Sequence, residues 1–307
     1  MAQGPRWLVP GAFILLGLIW GSSFAWIKVA VEGGLPPASL VAWRMTLGAA
    51  GMLALLPFLG IALPRSPREL LPLAVMGAIN AALPIFLISW GEQYVDSGTA
   101  GVLNSLVPIF SLIIAGLILQ TEPVTWLRVS GLLLGFAGAG LLASREFELR
   151  GDPAGLLGAL AVVLAAISYA VGASFARHRI RGTHRYVVAA GTLVFATIYM
   201  WLLALPADGF VVPTTGEVLV AVLWLGLLGS FIAYVLYFFL IERLGATLST
   251  MVTYLFPVVA VGLGVSLLGE RLDERLLIGT ALVLVGIVVV SLRYDPTVSR
   301  ATSEARE

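Results

Sequence analysis

Ten runs of about twenty predominantly apolar residues, joined by short connections, limit what this chain can fold into more than any other feature does. About twenty residues of helix cover the roughly 30 Å hydrocarbon layer of a bilayer. Lipid offers backbone groups no hydrogen-bond partner, so each run predicts a membrane-spanning helix. The runs lie at about 8–31, 38–60, 69–90, 97–119, 125–143, 154–176, 186–205, 217–240, 246–268 and 275–292. An all-α membrane protein of ten transmembrane helices follows. The first run is too long for a signal-peptide core and has no small-residue cleavage pattern before the next, so it is expected to stay in place.

The connections carry turn and charge signals, as at Gly33-Gly34-Leu35-Pro36-Pro37, Pro64-Arg65-Ser66-Pro67, Arg150-Gly151-Asp152-Pro153 and Pro206-Ala207-Asp208-Gly209. None is long enough to hold a soluble domain. Tertiary structure must come from helix packing, which small residues favour at Gly17-x-x-x-Gly21 and Gly131-x-x-x-Gly135. Only 11% of the residues are charged and the mean hydropathy is +1.00, against about 25% charged in soluble domains. There is no cysteine, which excludes disulfides, thiolate metal sites and thiol nucleophiles. The basic residues largely avoid the interiors of the apolar runs and form no clustered footprint on one face, so nucleic acid is not an expected partner. No cofactor or metal is expected either, since His178 and His184 share one loop and read as solvated.

Orientation follows from the basic residues. With the N-terminus in the cytoplasm, twelve arginines fall on that side, including Arg177, Arg179, Arg181 and Arg185 in one loop. Six basic residues, Lys28, Arg44, Arg145, Arg150, Arg271 and Arg275, fall on the other. The excess predicts cytoplasmic N- and C-termini in the cell inner membrane. The tail 294–307 is polar and is expected to be disordered.

A shift of about 149 residues lays the second half on the first. Gly77 meets Gly226 and Pro108 meets Pro257; with one residue less, Glu122, Gly131 and Gly138 meet Glu270, Gly279 and Gly286. Two five-helix repeats are predicted, 1–148 and 149–293. Five is odd, so the second must start on the opposite face of the membrane, an inverted arrangement used by secondary transporters.

The stretch Leu18-Ile19-Trp20-Gly21-Ser22-Ser23-Phe24, Arg44 in the second run, and the pattern of Pro108 to Glu122 repeated as Pro257 to Glu270 resemble the drug/metabolite transporter superfamily, EamA type. Within it the chain is similar to the YddG-type exporters of aromatic amino acids. The resemblance implies ten helices, cytoplasmic termini, and a central cavity lined by the first, third, fourth, sixth, eighth and ninth helices. It implies a small-molecule substrate, a neutral or aromatic amino acid. Besides that substrate and the lipid bilayer no partner is expected, and the chain is read as a monomer.

Polar groups inside a membrane are costly and mark pathways. A proline frees the carbonyl four residues before it, so Pro84 frees Asn80, Pro108 frees Asn104 and Pro257 frees Thr253. Those breaks are expected to form a substrate site with aromatic and hydroxyl side chains at helical spacing. They are Trp20, Ser23 and Phe24 from the first helix, Tyr169 from the sixth, Ser230, Tyr234 and Tyr237 from the eighth, and Tyr254 and Phe256 from the ninth. Trp43, Trp90, Trp126 and Trp201 lie near helix ends and read as interfacial anchors. Lys28 and Arg44 are expected to snorkel to the outer surface, with attraction of a departing substrate carboxylate as the alternative for Arg44, while Glu92, Asp96 and Glu242 at helix ends are expected to be solvated.

With no acid in the Gly17 to Trp26 stretch, an uncoupled carrier is favoured over proton-coupled export of drugs or other small metabolites. Alternating access around a neutral, aromatic-lined site is the expected mechanism. An intramembrane enzyme would need a constellation of reactive side chains that the runs lack. A receptor is distinguished by the absence of saturable flux.

Overall fold

The structure is a computed structural model, and it describes residues 8–114, 125–150, 153–180, 182–244 and 251–291. Within these the chain is helical throughout. The helices are α1 (Leu8–Glu32), α2 (Pro37–Phe58), α3 (Pro67–Gly91), α4 (Ser97–Ile113), α5 (Trp126–Arg150), α6 (Ala154–Arg179), α7 (Arg185–Asp208), α8 (216–244), α9 (Met251–Leu268) and α10 (Glu274–Ser291). Each predicted run overlaps one of them over its described residues. Eight, all but α4 and α10, are long and apolar enough to cross a membrane. Three expectations fall outside the described residues: the turn Gln120-Thr121-Glu122, the side chain of Glu242, and the C-terminal tail.

Glycines decide which helices touch. A Cβ on Gly131 would lie 2.7 Å from the Gly286 carbonyl oxygen, and one on Gly138 would lie 2.7 Å from that of Gly279. The backbones of α5 and α10 therefore meet without intervening side chains, as small-residue packing allows. Ascending numbers on one helix face descending numbers on the other, so the two run antiparallel. Gly17 and Gly21 likewise admit Leu255 and Val259 of α9 against α1. Contacts cross between the halves in matched pairs: Gly77 of α3 packs on Thr192 and Phe195 of α7, and Gly226 of α8 packs on Leu47 of α2.

Four of these helices are irregular where polar or small residues occur. In α3, Ala78–Ala82 winds as a π-helix just before Pro84. In α8 the segment Trp224–Ile232 does the same with no proline nearby. Helix α4 breaks after Asn104 and resumes at Val107, with Pro108 in its first new turn. In α9, a 3₁₀ turn Met251–Leu255 precedes the α-helix that contains Pro257.

One end of the bundle is tied by ion pairs. Arg145, 2% exposed, donates to Asp96 at 3.0 Å, to Glu146 at 2.6 Å and to Asp273 at 2.6 Å, and to the Arg271 carbonyl oxygen at 2.8 Å. Beside it, Glu270 receives the backbone N–H groups of Ser97 (2.6 Å) and Gly98 (3.0 Å). A carboxylate there meets unpaired donors at the positive end of α4. The end of α9 is thus clamped to the start of α4.

Two measurements follow. Gly286→Val pushes two methyl groups into the α5 backbone and is expected to cost about 1–3 kcal/mol of stability, read as a lower melting temperature in detergent. Gly140→Ala, which meets open space, should melt like the parent. The second concerns acid. Burial is the largest single influence on Asp273 and raises its affinity for a proton, but the Leu276 N–H, the Arg145 guanidinium and the Arg275 N–H together outweigh it and hold the carboxyl below its ordinary range. Its contribution is therefore complete above about pH 4 and lost as the pH falls through its lowered value. Asp273→Asn should lose less stability than the parent between neutral pH and about pH 3; parallel acid profiles would contradict this.

Candidate functional site

Arg44 lies in the second turn of α2, and the structure overturns its expected snorkelling. It is 6% exposed and its Nε donates to the Ser230 hydroxyl at 3.1 Å. The π-helix of α8 sets up this contact: Ser230 donates in turn to the Leu225 carbonyl oxygen, five residues back. Gly48 lets α2 approach, since a Cβ there would stand 2.7 Å from that of Ser230. Among the described residues Arg44 has no hydrogen-bond partner besides Ser230, so the two terminal nitrogens of its guanidinium remain free to donate. Tyr169 of α6 and Tyr234 of α8 stand close enough to interact with its charge.

Asn80 belongs to the same cluster. It sits in the π-helix of α3, stands close to the Tyr234 side chain, and packs its amide against Gly172 of α6, where a Cβ would lie 2.7 Å from its Oδ1. Gly172 makes that approach possible. A second group is aromatic: Trp20 of α1 stands 5.4 Å from Tyr237 and 6.2 Å from Phe256, and Phe24 stands 6.1 Å from Phe256. These edge and tilted contacts suit aromatic quadrupoles. Trp20 also donates to the Gly229 carbonyl oxygen at 3.0 Å, beside Ser230, which joins the aromatic wall to the arginine.

The remaining candidates divide. Asn104 is 6% exposed, and its Oδ1 has no hydrogen-bond partner among the described residues. Ser23 donates to the Ile19 carbonyl oxygen of its own helix at 3.1 Å, so its hydroxyl proton is already used. Pro84, Pro108 and Pro257 each fall in the first turn of the helical segment that follows an irregular one, where they shape backbone. Thr253 and Tyr254 lie in the 3₁₀ turn of α9, partly buried and each with neighbours of its own. As for the anchors, Trp126 is 88% exposed, while Trp43 and Trp201 stack edge to face at 5.3 Å and both donate hydrogen bonds.

Two other charges differ from expectation. The Lys28 ammonium turns inward to the carbonyl oxygens of Glu92 (2.8 Å) and Val95 (2.9 Å), and pairs with Glu32 at 3.3 Å. It completes the C-terminal end of α3, where carbonyls lack helical donors. Glu92 is fully buried, where Lys28 of α1 reaches the turn that follows α3 and Gly158 and Val162 of α6 pack on the preceding Gly91. Sequence reasoning also missed the π-helix of α8, which no proline announces; the 149-residue shift, which carries Asn80 onto Gly229, was the available signal. A separate groove of about 870 Å³ lies between α1, α8 and α9, lined by Leu18, Trp26, Val220, Trp224, Val259 and Leu263. It is apolar, and the arginine cluster has no part in its lining.

The model of the EamA-like transporter family matches residues 9–144 and 156–292. A protein of Streptantibioticus cattleyicolor named "Probable terminal-alkyne amino-acid exporter" is 30% identical over 284 residues, covering 92% of this chain and 93% of its own length. The uncharacterized inner membrane transporter YedA of Escherichia coli K12 is 32% identical over 300 residues, 94% of this chain and 92% of its own. A solved crystal structure aligns at a TM-score of 0.67 and 23% identity, over 94% of this chain and 98% of that one, which shows a shared fold. This chain belongs to the EamA-like transporter family and is a multi-pass membrane transporter.

Proposed function

We propose that this chain exports neutral and aromatic amino acids across the inner membrane by alternating access, as a monomer with both termini in the cytoplasm. Two five-helix halves, 1–148 and 149–293, stand inverted to each other as ten transmembrane helices and rock about a site between them. The antiparallel pairing of α5 with α10 and the crosswise glycine contacts support that arrangement.

Arg44 carries the substrate reading. A guanidinium held by Ser230 through Nε alone presents its other two nitrogens as a fork, the geometry that receives a carboxylate. One cation matches the single carboxylate of an amino acid; a nucleotide sugar would call for several. The hydroxyls of Tyr169 and Tyr234 and the amide of Asn80 offer acceptors to the ammonium group. Trp20, Phe24, Tyr237 and Phe256 give the side chain an apolar wall with polar edges. A relative named as an amino-acid exporter supports the same class. Among the described residues no acid is hydrogen-bonded to Arg44, and Glu92 reaches it through its charge alone; net flux follows the substrate gradient without obligatory proton movement.

Counterflow into proteoliposomes tests this. Labelled Phe, Trp, Tyr and Thr should enter vesicles preloaded with the same amino acid, and a non-amino-acid control should not. Arg44→Gln should raise KM roughly 10- to 100-fold, as removal of a charge-assisted hydrogen-bond donor predicts. Uptake of none of the four, or an unchanged KM in Arg44→Gln, would sink the substrate assignment. Tyr234→Phe removes one neutral hydrogen bond and should raise KM by about 2- to 10-fold; equal loss with Arg44→Gln would mean that the two act as a structural pair. Flux that required a pH gradient would overturn the uncoupled mechanism.

A further inference from the structure

Glu92 stands one residue beyond the span Pro67–Gly91 and exposes none of its surface. Neither carboxyl oxygen has a hydrogen-bond partner among the described residues. Its own N–H is satisfied by the Ile88 carbonyl oxygen at 2.9 Å, and its own carbonyl oxygen receives Lys28. The side chain is therefore left over after the turn has met its own needs. Ser89, one turn earlier, and Ser97, at the start of α4, also bury hydroxyl oxygens without partners. Three unpartnered polar groups thus line the end of the bundle that the Glu270 clamp and the Arg145 network hold shut.

The charged groups around Glu92 come from several elements. Helix α1 brings Lys28 and Glu32, α2 brings Arg44, and the connection after α9 brings Glu270. Asp96, four residues on, is paired with Arg145. Helix α6 meets the preceding Gly91 with Gly158 and Val162, neither of them ionisable. Lys28 is committed to two carbonyl oxygens and to Glu32, so it does not neutralise the Glu92 carboxylate by direct contact. Two cations and two anions in range leave little net field to hold a negative charge. An unpaired carboxylate enclosed in this way is far more costly than the neutral acid.

We propose that Glu92 is a proton-binding site that latches this end of the carrier: it holds a proton while the end is closed and releases it when opening admits water. Burial pushes the carboxyl well above its ordinary range, with Lys28 and Arg44 opposing and Glu270 and Glu32 adding to the shift. The closed end thus binds the proton more tightly than the open one, so acid favours closure and rising pH favours opening. Opening separates Glu270 from the Ser97 and Gly98 N–H groups and hydrates the three polar side chains beneath. The proton leaves and returns on the same side of the membrane, so the latch sets the rate of the cycle without moving net charge. It rests on the alternating-access reading but not on any particular substrate.

The absence of cysteine from the chain supplies the test. Ser97→Cys is labelled with a membrane-impermeant maleimide in reconstituted protein from about pH 6 to pH 9. Thr214→Cys, exposed beside the start of α8, serves as reference for the intrinsic reactivity of a thiol. The ratio of the two labelling rates should rise at least about 5-fold across that range. With Glu92→Gln, neutral at every pH, the ratio should stay low and flat. Glu92→Asp, which can still lose a proton, should restore the rise. An equal rise in Glu92→Gln overturns the proposal. A flat ratio in the Ser97→Cys protein overturns it also, whether or not Glu92→Gln folds. Amino-acid flux plays no part in the readout, so a wrong substrate assignment and a wrong latch give different failures.

Discussion

Within lipid every backbone N–H and C=O must find its partner inside the protein, and the site exists because two helices break that rule locally and are repaired from elsewhere. The π-helix of α3 leaves the Ile79 carbonyl oxygen to Ser168 of α6 at 2.6 Å. The π-helix of α8 leaves the Gly229 carbonyl oxygen to Trp20 of α1 at 3.0 Å. Each repair reaches across to another helix, so each irregular segment becomes a point where helices are fixed to one another. Asn80 and Ser230 project from those same segments. The polar site is the by-product of how the membrane forces the backbone debt to be settled.

Arg44 depends on this arrangement. A lone guanidinium inside a bilayer is costly, and Ser230 meets only one of its nitrogens. The remainder of its hydrogen-bonding capacity is exposed to whatever occupies the space beside Tyr169 and Tyr234. On the proposed function, a substrate carboxylate supplies what the protein withholds. The same reasoning applies in reverse to Glu92, which the protein surrounds without supplying a partner, so its charge becomes a function of whether water can reach it.

Much of this was legible in the sequence because the relevant signals are local. Apolar run length located the helices, and Pro84, Pro108 and Pro257 marked irregular backbone beside Asn80, Asn104 and Thr253. The glycine spacing at 131 and 135 pointed to close packing, and the repeat matched 131 and 138 to 279 and 286. What escaped was set by distant partners. Arg44 read as a snorkelling residue because nothing nearby in sequence reveals Ser230, 186 positions away. Glu92 read as a solvated helix-end acid because its enclosure comes from helices distant in sequence, α1 and α6 among them. The irregularity in α8 has no proline to announce it, only Gly and Ser residues that are common in membrane helices.

The seam between α5 and α10 has a further consequence. Where side chains separate two helices, their packing can give a little in any direction. Here the Gly131 and Gly286 backbones touch directly, as do those of Gly138 and Gly279, and two peptide surfaces in contact have no slack to take up. They can turn on one another but cannot draw closer. Any movement of one half against the other must therefore leave this line in place and take its amplitude at the far side of the bundle, as a door does from its hinge.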